Sequence, residues 1–115
     1  MKTQSAEELR QNKCEACEGG IKPFTGEEAR EQLQSLADWE LSNDGKRISK
    51  NREFKDFKAG MGFLQKVAEL AEEEGHHPDL HLTNYKQVSI ELTTHAIGGL
   101  SWNDFILAAK IDGLN

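Results

Sequence analysis

The sequence predicts an α+β fold: a four-stranded antiparallel sheet with helices packed on one face, in the order α-β-β-α-β-β-α. Three observations predict it. Residues 86–94 alternate, with Val88, Ile90 and Leu92 on one side and Gln87, Ser89, Glu91 and Thr93 on the other, as a half-buried strand requires. Residues 57–74 instead repeat their apolar positions at helical spacing, and Gly75 follows where a left-handed cap would end the helix. Asn43-Asp44-Gly45 is a turn signal between two short runs that read as paired strands. Helices segregated from an antiparallel sheet cover one of its faces. The other face is then free for a partner subunit.

The elements follow in order. Residues 1–22 are polar, carry Gly19-Gly20 near their end, and read as a loosely ordered arm ahead of a single domain over 23–115. Thr25 and Glu28 have capping-box spacing, and Ala29, Leu33 and Leu36 share one face of a helix near 26–37. Trp39 and Leu41 begin the first strand; Lys46–Phe54 returns as the second. Asp56 can cap the long helix, whose apolar positions include Phe57, Met61, Leu64, Val67, Ala68 and Ala71. Gly60 and Gly62 weaken it by roughly 1 kcal/mol each relative to alanine, and close packing against a neighbour is the simplest reason for them. Ile97-Gly98-Gly99 turns the chain into a last helix capped by Ser101 and Asp104, with Phe105, Ala108, Ala109 and Ile111 inward.

Size and charge bound the function. A chain of 115 residues and 12.9 kDa buries about two-thirds of its extended surface, enough for one modest core without a metal or disulfide staple. The net charge of −6 argues against a nucleic-acid surface, which relies on Lys and Arg to neutralise phosphate. No apolar run reaches membrane-spanning length, and the first residues lack the apolar centre of a secretory signal. A cytoplasmic protein is expected. Cys14 and Cys17 form CEAC without a preceding strand, so a reduced surface pair without catalytic duty is expected rather than a redox motif.

Three of the four histidines crowd into EEEGHHPDLH, residues 72–81. Metal binding, proton transfer and a solvated loop are the competing readings. Zinc is disfavoured, because Pro78 separates His77 from His81 and no helix presents them together. Pro78 biases His77 to an extended backbone, so the rings of His76 and His77 point apart. His95 extends the polar register of the last strand. Histidines that accept and return protons near neutral pH fit this pattern better.

Glu72, three residues, His76-His77-Pro78, six residues, Tyr85, nine residues, His95, eight residues and Asp104 resemble the signature of the pterin-4a-carbinolamine dehydratases. REFKDFKAGMGFLQKVAELAEEEGHHP and KQVSIELTTHAIGGLSWNDF are similar to that family over about residues 36–112, and the CEAC arm resembles N-terminal extensions of bacterial members. The resemblance implies dehydration of a 4a-hydroxytetrahydropterin to quinonoid dihydropterin, without metal or added cofactor. This recycles the cofactor of an aromatic amino acid hydroxylase. It implies His76 and His95 as the acid–base pair, leaving open which is the acid, with His77 positioning the pterin. Glu72, Gly75, Pro78, Thr93, Thr94 and Ala96 are the implied pterin-binding residues, with Glu72 orienting a ring of the cluster. Asp104 is weighted toward helix capping, and His81 toward a solvent-facing loop. A homodimer or homotetramer is implied, and a hydroxylase is a candidate partner. The alternative is a dimerisation or regulatory module that binds another protein.

Overall fold

The computed structural model describes residues 2–15 and 21–114. Helix α1 spans Ala6–Gln11, α2 Gly26–Leu33, α3 Phe57–Glu74 and α4 Trp102–Asp112; the strands are β1 Glu40–Leu41, β2 Ile48–Glu53, β3 Asp79–Thr83 and β4 Gln87–Leu92. All four strands form one antiparallel sheet in the order β1-β2-β4-β3. The expected α+β class holds, with one more helix than expected.

Register decides which side chains meet the helices. Ile48 lies opposite Leu92, Leu80 opposite Ile90 and Leu82 opposite Val88, so these residues share one face. That face packs against Phe63 and Val67 of α3 and the apolar residues of α4. The opposite face is polar, as expected. There Glu91 bonds Arg47 at 3.2 Å and the His81 ring at 2.9 Å. His81 is indeed solvent-facing, but it stands on β3 rather than in a loop. Its strand was hard to read because DLHLT holds only two apolar residues.

Strand β2 reads ISKNRE, and its polar residues on the core side find particular solutions. Lys50 reaches Asp112 at 2.8 Å, and the Trp39 indole N–H donates to the same carboxylate at 3.0 Å. Arg52 lies 4.7 Å and 5.0 Å from the Phe54 and Phe63 ring centres. Both long stems cover apolar surface while their charged ends stay partnered.

The long helix forms over the expected residues, but it buries Gly60, Phe63, Val67 and Ala71, and the expected apolar positions Phe57, Met61 and Ala68 are exposed. Asp56 accepts from the Ala59 amide at 2.8 Å, and Gly75 ends the helix with φ at +67°, a conformation costly for residues with a Cβ. A Cβ on Gly60 would lie 3.3 Å from Leu82 Cδ1, whereas one on Gly62 would meet nothing within 4 Å. Close packing therefore explains Gly60 alone. Helix α2 stops before its expected end because its last turn tightens: Ser35 and Leu36 bond the carbonyls three residues back. Leu36 still reaches the core.

The N-terminal arm departs from expectation. Its residues 6–11 form α1, closed by a reciprocal capping box between Ser5 and Glu8, and Leu9 is completely buried. One large apolar residue in six gives no visible periodicity, so only the Ser5–Glu8 spacing announced this helix. Packing of α1 and of the Phe24 ring, 4.8 Å from Phe105, explains why α4 is buried from Asn103 to Ala109. Cys14 is half-buried against this layer; Cys17 lies outside the described residues. Among the described residues no helix is long and apolar enough to cross a membrane.

Candidate active site

Gly75 turns the chain out of α3 and sends the next two residues in different directions, as Pro78 leads one to expect. The His76 ring turns inward. Its Nε2 lies 2.6 Å from Asp104 Oδ1, with the imidazole 12% exposed and the carboxylate 0% exposed. A carboxylate only accepts, so the imidazole proton sits on Nε2 and Nδ1 is the ring's other nitrogen. Asp104 Oδ2 accepts from the Ser101 amide at 2.9 Å and the Thr94 hydroxyl at 2.8 Å. Three donors thus offset the cost of enclosing this charge.

His77 turns outward to Glu72, one helical turn back on α3, with Nε2 2.5 Å from Oε2. Here the side chains are 64% and 76% exposed, so the pair orients a ring and adds little stability. His95 arrives differently from its expected place on a regular strand. Strand β4 ends at Leu92, and His95 opens a 3₁₀ turn, His95–Ile97. The turn is closed by Gly98 with φ at +67° and by reciprocal backbone bonds between Thr94 and Gly99. His95 is exposed, and its ring has no partner among the described residues.

These segments enclose an open cleft of about 280 Å³ lined by Gly75, His76, His77, Thr93, Thr94, His95 and Ala96. Seven of the nine expected site residues therefore come together. Glu72 reaches the cleft only through His77, and Pro78 does not line it. The hydroxyls of Thr93 and Thr94 already donate, to the Lys46 carbonyl and to Asp104, which leaves their oxygens as acceptors. Asp104 is the residue that the sequence underweighted: it caps α4 and also holds His76. Ser101 and Thr94 complete that network, with their hydroxyls 2.8 Å apart. Tyr85, although part of the signature spacing, sits exposed in the β3–β4 turn.

Another cleft is lined by Lys50, Arg52, Phe63, Ile90, Ile111 and Asp112. Its Lys50 and Asp112 neutralise each other, so it offers no free acid or base. Among the described residues no three His, Cys, Asp or Glu side chains gather as a metal-binding group.

The sequence model of the family described as pterin 4 alpha carbinolamine dehydratase matches residues 22–114. The chain belongs to this family. It is 47% identical over 113 residues to pterin-4-alpha-carbinolamine dehydratase 2, mitochondrial, of Arabidopsis thaliana, covering 96% of this chain and 60% of that protein. A putative pterin-4-alpha-carbinolamine dehydratase of Nitrosomonas eutropha is 46% identical over 108 residues, with 93% of each chain covered. The solved transcriptional coactivator/pterin dehydratase of Brucella melitensis superposes with a TM-score of 0.74 at 30% identity, over 80% of this chain and 97% of that one. The family is one of hydro-lyases, and the histidine cleft lies within the matched residues.

Proposed function

We propose that this chain dehydrates a 4a-hydroxytetrahydropterin, with His76 as base and His95 as acid. The observation that carries the reading is the buried Asp104–His76 bond facing an exposed His95 across one cleft. Loss of water requires two proton movements. His95 gives a proton to the 4a-hydroxyl as the C4a–O bond breaks, and the N5 electron pair forms the C4a=N5 double bond. His76 takes the N5 proton. The products are quinonoid dihydropterin and water, with no net change in protons.

Asp104 assists without touching the pterin. It holds the proton on Nε2, so Nδ1 is the basic nitrogen, and it stabilises the imidazolium once the ring is charged. His77, steered by Glu72, positions the pterin at the mouth of the cleft. The reaction would recycle the cofactor of an aromatic amino acid hydroxylase. A rate assay on enzymatically generated carbinolamine tests the proposal. His76→Ala and His95→Ala should each slow turnover by about 10²-fold or more, and His77→Ala should act mainly on KM. A wild-type protein that leaves the spontaneous rate unchanged would end this reading.

A protein-binding role alongside catalysis has one observation in its favour. Phe57 and Met61 lie one turn apart on α3 and are 55% and 47% exposed, an apolar surface that the core does not use. Retention of a pterin-dependent hydroxylase by the wild type, and its loss in Phe57→Ser with activity intact, would support that role.

A further inference from the structure

The segment before α2 does more than cover α4. Cys14 donates its amide to Glu74 Oε1 at 2.9 Å, while Lys110 donates to Glu74 Oε2 at 2.7 Å. The next residue, Glu15, donates its amide to Asn103 Oδ1 at 2.9 Å and accepts from Asn103 Nδ2 at 2.5 Å. Two consecutive arm residues therefore grip the C-terminal end of α3 and the N-terminal start of α4. Glu74 stands two residues before His76, and Asn103 stands next to Asp104. The arm ties together the two chain segments whose side chains make the His76–Asp104 bond.

Its own anchorage is extensive. Leu9 is fully buried, Gln4 and the buried Gln32 exchange two bonds at 2.9 Å and 2.8 Å, and Arg10 reaches the Ala109 carbonyl. Glu74 is 7% exposed at its side chain, so water does not compete strongly for its bonds. Small displacements matter at such a site, because a shift of about 1 Å in a catalytic group can cost about a hundredfold in rate.

We propose that residues 4–15 form a strap that sets the His76–Asp104 geometry, with Glu74 and Asn103 as positioning residues for the dehydration. The inference rests on His76 being the base. Glu15→Pro removes the amide donated to Asn103 and leaves the cleft residues unchanged; Asn103→Ala breaks the same contact from α4.

In folded variants we expect kcat to fall about tenfold or more with KM nearly constant. The downfield Nε2 proton resonance of His76 should be sharp in the wild type and broaden into exchange with water in these variants. Folded variants that keep both kcat and this resonance overturn the proposal. The unmodified protein supplies a check that needs no variant: hydrogen exchange at the Cys14 and Glu15 amides and at His76 Nε2 should report one common opening. Independent openings overturn it as well. If the wild type proves inactive, the dehydratase reading fails, yet the resonance and exchange data still decide whether the strap holds His76.

Discussion

At the scale of single residues, Asp104 has the largest consequence. Its spacing from Ser101 marks a helix cap, and it is one, but the same carboxylate also accepts the His76 Nε2 hydrogen bond on its other oxygen. Asp104→Asn presents an amide where three donors converge. We expect turnover to fall about a hundredfold, and stability to drop by about 1–3 kcal/mol in a urea titration. Glu74 supplies the pH dependence. Burial, the largest single influence, opposes its ionisation, yet the Cys14 amide and the Lys110 ammonium together hold it below the ordinary glutamate value of 4.5. A carboxyl lowered on folding stabilises above that value and loses its contribution as pH falls through the folded one. Urea midpoints measured from neutral pH down into the acid limb should therefore fall less steeply below pH 4.5 in Glu74→Gln than in the wild type. Cys14 moves oppositely: burial, then the nearby Glu74 charge, pushes its thiol up to about 12. In a Cys17→Ser background, Cys14 should react slowly with a disulfide reagent until urea releases the arm.

At the scale of elements, the glycines separate packing from turn geometry. Gly62 lies in the exposed middle of α3 with open space at its Cβ position, so Gly62→Ala should stabilise by about 0.5–1 kcal/mol, read from the melting curve. Gly99 is the opposite case. A Cβ there would lie 2.8 Å from Pro23 Cβ, and the residue pairs with Thr94 to close the turn that carries His95. Gly99→Ala should lower the melting temperature and turnover together, because the clash is relieved only by moving that turn. Helix α3, its Asp56 cap and its Gly75 stop were legible in the sequence, since local spacing and local hydrogen bonds define them. Strand β4 was legible for the same reason. Strand β3 was expected between α3 and β4, but its residues were not placed, because its side chains are recognisable only once Leu80 and Leu82 lie beside Ile90 and Val88.

At the scale of the whole molecule, the arm shows how non-local packing exceeds local pattern. Leu9 is the fully buried residue of α1, and Leu9→Ala should cost about 2–5 kcal/mol in denaturant unfolding. That loss would mark the arm as part of the domain rather than an appendage. Most of the cleft was legible as a set of residues through the resemblance of their spacing to the family signature, and His76, His77 and His95 do line one cleft. Their separate environments were not legible. Sequence alone determined the antiparallel α+β plan and the long capped helix, since these depend on periodicity and on neighbours within a few positions, whereas the histidine set rested on resemblance to a family signature. Only the tertiary structure decided that His76 is enclosed by Asp104, that His77 is left to solvent with Glu72, and that the arm grips both supporting helices. The His76–Asp104 bond and the arm's contacts join residues 28 to 88 positions apart, and local sequence carries no signal for hydrogen bonds that form only after the chain has packed.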